Sequence, residues 1–213
     1  MGCGTDTVEN DQVLCIRCVT ELPYTDFAHD VNNPVEKLFW GRIPVKAGTS
    51  EFYFAKGNCI QTLIHELKYR KNKEAGRFLG RLMAKRIEGS KRFNGIDALI
   101  PLPISARKER VRGYNQAEVI CDVMSGVMDI PVVTGVVSRE KQTESQTMKR
   151  RKERWQNVEG SFVVSNASAL RDKHVLLVDD VITTGATIEA CASEILKVPG
   201  VTLSIAAAAF ASH

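Results

Sequence analysis

The chain has 213 residues, 44% of them apolar and 25% charged, with a net charge of +4. That balance excludes a disordered or fibrous chain and suits one sizeable domain with a small appendage. No apolar run reaches the length of a membrane span, and residues 1–30 lack the basic start and apolar stretch of a secretory signal, so the cytoplasm is the expected location.

The first landmark is Cys15-Ile-Arg-Cys18, a C-x-x-C knuckle. A structural zinc site needs four ligands, usually from two such knuckles. Cys3-Gly4 reads as the second half of a first knuckle whose partner would precede Met1. Cys3, Cys15 and Cys18 thus form an incomplete zinc set, which a longer natural chain or another ligand would complete. His29 is the only nearby histidine. The alternative is a terminal segment with three thiols and no metal. Cys59, Cys121 and Cys191 fall in helical patterns and read as small buried apolar residues.

Residues 24–50 carry Pro34, Pro44, Asn32-Asn33 and Gly48, and they read as a loop-rich connection. The chain accordingly divides into a knuckle-like segment with its connection, 1–50, and a main domain, 51–213. Phe52 and Phe54 alternate with Glu51 and Tyr53, as in a short strand. Asn58 is placed to cap a helix whose apolar face is Ile60, Leu63, Ile64 and Leu67. Lys68-Tyr69-Arg70-Lys71-Asn72-Lys73 ends that helix with positive charge, which the helix dipole favours. A solvated basic end is the common reading of such a run, and phosphate contact is the functional one. Ala75, Phe78, Leu79, Leu82 and Met83 mark a second amphipathic helix.

Ala98-Leu99-Ile100 is a buried strand stopped by Pro101 and Pro103. The stretch 105–116 then reads as a basic loop leading into a helix with Ala117, Val119, Ile120, Val123 and Met124. Pro131–Thr134 and Val136-Val137 are short strand segments. Residues 138–162 are polar and basic until Trp155, and read as an excursion that could act as a lid.

The stretch that organises the chain is 175–187. Val175-Leu-Leu-Val178 is a short apolar run suited to a doubly buried strand. Asp179 and Asp180 follow, then Thr183-Thr184-Gly185-Ala186-Thr187, then a helix bearing Ile188, Cys191, Ala192 and Ile195. Backbone N–H groups at a helix N-terminus attract an anion, and glycine lets the backbone come close to it. Two carboxylates beside that loop suit ribose hydroxyls or a divalent cation. The pattern is neither a Walker A nor a G-x-G-x-x-G loop. Ligands of an open parallel sheet sit beyond the strand C-termini, so the 105–116 stretch would open on the same side. Arg107, Arg110 and Arg112 there suit a more highly charged group such as pyrophosphate. Val201–Phe210 is a final Ala-rich strand. Strands alternating with helices predict an α/β domain with a mostly parallel sheet.

Several stretches together resemble the ComF (competence protein F) family within the type I phosphoribosyltransferase fold. They are Cys15-x-x-Cys18 with Leu22-Pro23; Leu67-Lys68-Tyr69; Pro101-Leu-Pro103 with Arg107 and Arg112-Gly113-Tyr114-Asn115-Gln116; Arg139-x-x-x-Thr143-x-x-Gln146 with Arg154-x-x-Asn157; and 175–187. The match spans nearly the whole chain, and its departure is the missing first cysteine. The resemblance implies a type I fold behind a small zinc-ribbon-like segment. It implies a site for phosphoribosyl pyrophosphate (PRPP) and Mg²⁺ at Asp179, Asp180, Thr183, Thr184, Gly185, Ala186 and Thr187. Arg107 and Arg112 would stand on the pyrophosphate side, with Arg139, Gln146 and Arg154 in the lid. It also implies a role in natural competence and DNA uptake beside a helicase-like partner.

Three functions fit these features. One is a phosphoribosyltransferase whose acceptor no stretch identifies. The second is a non-catalytic PRPP or nucleotide sensor. The third is an adaptor for single-stranded DNA, built on the knuckle and the basic segments.

Overall fold

The computed structural model describes residues 13–139 and 162–211. In chain order its elements are α1 (Ile16–Thr20), α2 (Pro34–Phe39), β1 (Ala47–Tyr53), α3 (Cys59–Tyr69), α4 (Lys73–Glu88), β2 (Ala98–Pro101), α5 (Ala106–Arg112), α6 (Gln116–Met128), β3 (Val137–Arg139), β4 (Phe162–Val164), β5 (His174–Ile182), α7 (Ala186–Ile195) and β6 (Thr202–Phe210). Four strands form one parallel sheet in the order β1-β6-β5-β2. β3 and β4 pair antiparallel beside it.

Val175 to Val178 are fully buried because both faces of β5 are covered. Side chains alternate along a strand. Leu176 and Val178 join Leu63, Leu67, Leu79 and Ile120 of α3, α4 and α6. Val175 and Leu177 join Ile188, Cys191 and Ala192 of α7, with Val35 and Phe39 of α2. Ala206 and Ala208 of β6 face the first group, and Ile205 and Ala207 the second.

Several expectations need adjustment. β5 runs on to Ile182, so the acidic pair lies inside the strand rather than after it. The region expected as a loop-rich connection contains α2 and the start of β1, which crosses position 50. Asn33 caps α2 by accepting from Val35 N and Glu36 N, and its amide donates to the carbonyls of Phe27, Asp30 and Gly48. Glu36 in turn accepts from Gly48 N and pairs with Arg92. With six residues, α2 is too short for its one buried apolar pair, Val35 and Phe39, to announce it, and these polar ties hold it in place. Ala47-Gly-Thr-Ser50 has weak strand propensity, and its pairing with β6 overrides that. The basic stretch after Pro103 is largely a helix, α5. Its Ser105 cap accepts from Lys108 N, and Gly113 ends it with φ +85°. α5 buries no residue, so no apolar face revealed it. Pro131–Thr134 contributes one parallel bridge, Val132 to Leu99. Among the described residues no helix is long and apolar enough to cross a membrane.

Candidate phosphoribosyl site

The C-terminal ends of β2 and β5 open on a cleft of about 420 Å³. Asp179, Asp180, Thr183 and Thr187 line it from β5 and the following turn, Lys68 and Tyr69 from α3, Lys108 and Arg112 from α5, and Arg139 from β3. The two halves expected from sequence, acidic turn and basic segment, therefore meet across one opening. Arg107 is exposed and is not among the lining residues; Lys108, one position on, is. Thr184 is exposed, while Gly185 and Ala186 lie behind the lining at the start of α7. Gln146 and Arg154 of the expected lid, and Cys3 of the expected zinc set, fall outside the described residues.

Because Asp179 and Asp180 are consecutive in a strand, they leave it on opposite faces. Asp180 turns toward α3 and is only 6% exposed. Its Oδ1 meets Lys68 Nζ at 2.8 Å. Asp179 turns toward α7, and its Oδ1 accepts from the backbone N–H of Asp180 at 2.7 Å. Burial, and then the charge of Asp180, raise the Asp179 carboxyl above the usual carboxylate range, against the pull of that hydrogen bond, Lys68 and Lys108. Asp179 also helps to raise the buried Cys191 thiol. Across the cleft, desolvation and then the charges of Arg112, Arg139 and Lys68 lower the ammonium of Lys108. The site thus holds an excess of positive charge on one wall and a divided acidic pair on the other.

Gly185 is the αL residue before α7, with φ +74°. A Cβ there would stand 2.8 Å from Leu38 Cδ2 and 2.9 Å from Phe39 Cε1. The glycine therefore lets the turn seat on α2, and its missing side chain does not point into the ligand space. Thr184 Oγ1 accepts from Ala186 N at 3.5 Å.

The carboxy-terminal residues 111–213 match the family described as phosphoribosyl transferase domain. The chain is 33% identical over 146 residues to competence protein F of Haemophilus influenzae, covering 67% of this chain and 63% of that protein. The chain is a ComF-family, phosphoribosyltransferase-like protein. This ComF-family chain is also 27% identical over 149 residues to the DNA utilization protein YhgH of Shigella flexneri, covering 68% of this chain and 65% of that protein. It thus spans somewhat less than two thirds of the length of these curated relatives. Among solved structures it is similar to an adenine phosphoribosyltransferase from Leishmania tarentolae, with a TM-score of 0.42, 9% identity, and coverage of 68% of this chain and 74% of that one. The fold is phosphoribosyltransferase-like, α/β with a parallel central sheet.

The ComF motif Arg112-Gly-Tyr-Asn-Gln116 acts as a brace. Tyr114 Oη donates to the carbonyl of Leu67. Arg112 lies over the Tyr69 ring, 5.7 Å from its centroid, and donates to Gln116 Oε1. Asn115 Nδ2 donates to Leu102 O at 3.1 Å, and its Oδ1 caps α6 at Ala117 N. Local pattern offers two readings of the end of α3, a solvated basic tail and a phosphate contact, and neither is an ion pair with Asp180. The signal in the sequence for Lys68 is the place of Leu67-Lys68-Tyr69 beside this motif in the resemblance.

Two metals were expected. For zinc, the described residues supply Cys15, the cap of α1, and the buried Cys18, half of a tetrahedral set. Among the described residues no group of three His, Cys, Asp or Glu side chains could hold an ion. For Mg²⁺, Asp180 is already paired with Lys68, so the residues fit an ion carried in by a pyrophosphate better than one held by the acidic pair.

Proposed function

We propose that this protein binds PRPP, with Mg²⁺ on its pyrophosphate, and transfers the phosphoribosyl group in a cytoplasmic process serving DNA uptake or utilization. The observation that carries this reading is the single cleft in which an acidic pair separates a helix-start loop from a wall of cations. A ligand with hydroxyls in its middle and phosphates at both ends matches that order of charge. The Thr183–Thr187 turn would hold the 5′-phosphate at the start of α7. Asp179 and Asp180 would hydrogen-bond the ribose hydroxyls. Lys108 and Arg112 would meet the pyrophosphate. Bound Mg²⁺ would supply charge neutralisation to the departing group. As the bond from the anomeric carbon to pyrophosphate breaks, the acidic pair would stabilise the positive charge left on the sugar. Arg139, 5.3 Å from the Phe162 ring centroid, would stand at the edge of the opening and help to exclude water.

The test is the variant carrying Asp179→Ala and Asp180→Ala. Charge-assisted hydrogen bonds are worth about 1.5–3 kcal/mol each, so PRPP affinity should fall about a hundredfold or more in calorimetry. Affinity for inorganic phosphate should hold or improve, because negative charge beside the turn is removed. Unchanged PRPP affinity in the folded variant would remove the phosphoribosyl reading.

A second reading is an adaptor for single-stranded DNA with a helicase-like partner, a function without turnover. It is favoured by the exposed Tyr69, whose ring lies beside Arg112 at the rim of the cleft. Release of pyrophosphate from PRPP with a panel of amines and bases separates the two.

A further inference from the structure

Tyr114 is the member of the Arg112–Gln116 motif that the proposed chemistry leaves without a task. Arg112, Asn115 and Gln116 line the cleft, and Tyr114 is not among its described lining residues. Its contacts run to the opposite wall instead. Leu67 lies in the last turn of α3, where backbone carbonyls run out of helical N–H groups to accept from. The carbonyl of Glu66 takes the N–H groups of Arg70 and Asn72, and that of Leu67 takes the Tyr114 hydroxyl. Lys73 lies 5.1 Å from the centroid of the Tyr114 ring. The phenol thus ties the end of α3 to the junction of α5 and α6, across 47 positions of chain.

The end of α3 is also where Arg112 rests. Tyr69 stands two positions after Leu67, and the Arg112 guanidinium lies over its ring, 5.7 Å from the centroid. One guanidinium N–H donates to Gln116 Oε1. Gln116 is itself held, because its Nε2 donates to Tyr114 O at 3.1 Å. The guanidinium is therefore held by a ring on one side and an amide at one edge, and its remaining N–H groups are left for a ligand. A planar fork with a fixed direction is what two-point capture of phosphate oxygens requires.

Resting on the phosphoribosyl reading, we propose that Tyr114 is a positioning residue for the pyrophosphate end of the ligand. Through the end of α3 and the Tyr69 ring, it holds Arg112 ready to take two oxygens of a diphosphate at once. The cleft thereby selects a sugar that carries a diphosphate over the same sugar without one. An arginine left loose would supply charge alone, which serves any phosphate, and its long side chain would have to be ordered on binding.

The experiment uses the full chain. Tyr114→Phe keeps the ring and removes only the hydroxyl. Tyr69 is 62% exposed, so Tyr69→Leu removes the face under Arg112 without opening the core, and Tyr69→Phe keeps that face. Calorimetry uses PRPP with Mg²⁺ and, separately, ribose 5-phosphate with Mg²⁺. Tyr114→Phe and Tyr69→Leu should each weaken PRPP about tenfold and leave ribose 5-phosphate within about twofold, and Tyr69→Phe should match the wild type. An equal loss for both ligands would make Tyr114 a support of the whole cleft, and unchanged PRPP affinity would leave its hydroxyl idle; either overturns the proposal. Nitrogen-15 relaxation of the Arg112 Nε–H in the unliganded chain needs no ligand. Wild-type Arg112 should be more ordered than the exposed Arg107, and Tyr114→Phe should bring it down towards Arg107. Equal order of Arg112 in the two proteins overturns the proposal even if PRPP binds. Failure of the wild-type chain to bind PRPP would remove the function proposed above, while the order of Arg112 would still decide whether Tyr114 positions it. If Tyr114→Phe does not fold, Tyr69→Leu carries both measurements, and no change in either counts against the proposal.

Discussion

Gly185 packs against Phe39: a Cβ added to the glycine would lie 2.9 Å from Phe39 Cε1, closer than two carbons approach in a packed protein. The turn that would hold the 5′-phosphate is therefore seated on α2, a helix from the far end of the chain. Gly185→Ala should cost about 1–2 kcal/mol for the αL backbone, and overpacking should add about 1–3 kcal/mol. Thermal unfolding should show a lower midpoint, and Leu38→Ala in the same chain should recover only the share of the packing cost due to Leu38, leaving the Phe39 contact and the backbone part. A Gly185→Ala chain as stable as the wild type would mean that the turn can leave α2 freely.

Glu51 should make stability fall as pH rises. Burial lifts its carboxyl to about 7, with Arg86 opposing and Asp26 adding to the rise. An unfolded glutamate titrates near 4.5. Between these values the folded protein holds a proton that the unfolded chain has lost. The contribution is thus fully present below about 4.5 and is lost by about 7, up to about 3 kcal/mol in all. Asp179 is raised as well and slopes the same way. The check is therefore a comparison: Glu51→Gln should flatten the fall in unfolding midpoint between pH 5 and pH 8 relative to the wild type. An identical slope in both proteins would clear Glu51.

Zinc should be substoichiometric. Cys3, Cys15 and Cys18 are three thiols for a four-ligand ion, and His29 lies exposed in a cleft with Glu51, Lys85 and Arg86. Elemental analysis of the purified chain should find well under one zinc per protein. One tightly held zinc would require a fourth ligand, and loss of that zinc in His29→Ala would name it.

The elements written in local pattern were legible from the sequence. Asn58 caps α3 by accepting from Gln61 N, as its position before the Ile60–Leu67 face implied. Val175–Val178 is a doubly buried strand, as four apolar residues between polar flanks implied. Cys121 and Cys191 are buried in helices. α2 and α5 were not legible, since one is six residues long with a single buried apolar pair and polar ties from Asn33 and Glu36, and the other has no buried face.

By itself the sequence determined what depends on neighbours a few residues apart: strand, acidic pair, turn and helix in 174–195, and the family those residues share with the Arg112–Gln116 motif. Only the tertiary structure decided what each piece touches. Lys68 and Asp180 are 112 positions apart, and Phe39 and Gly185 are 146 apart. No periodicity connects such pairs. The parallel sheet brings them together, because it gathers the ends of β2 and β5 at one edge and sends Asp179 and Asp180 to opposite faces. Two adjacent acids that look equivalent in sequence are thereby made different, one paired with an ammonium and one not.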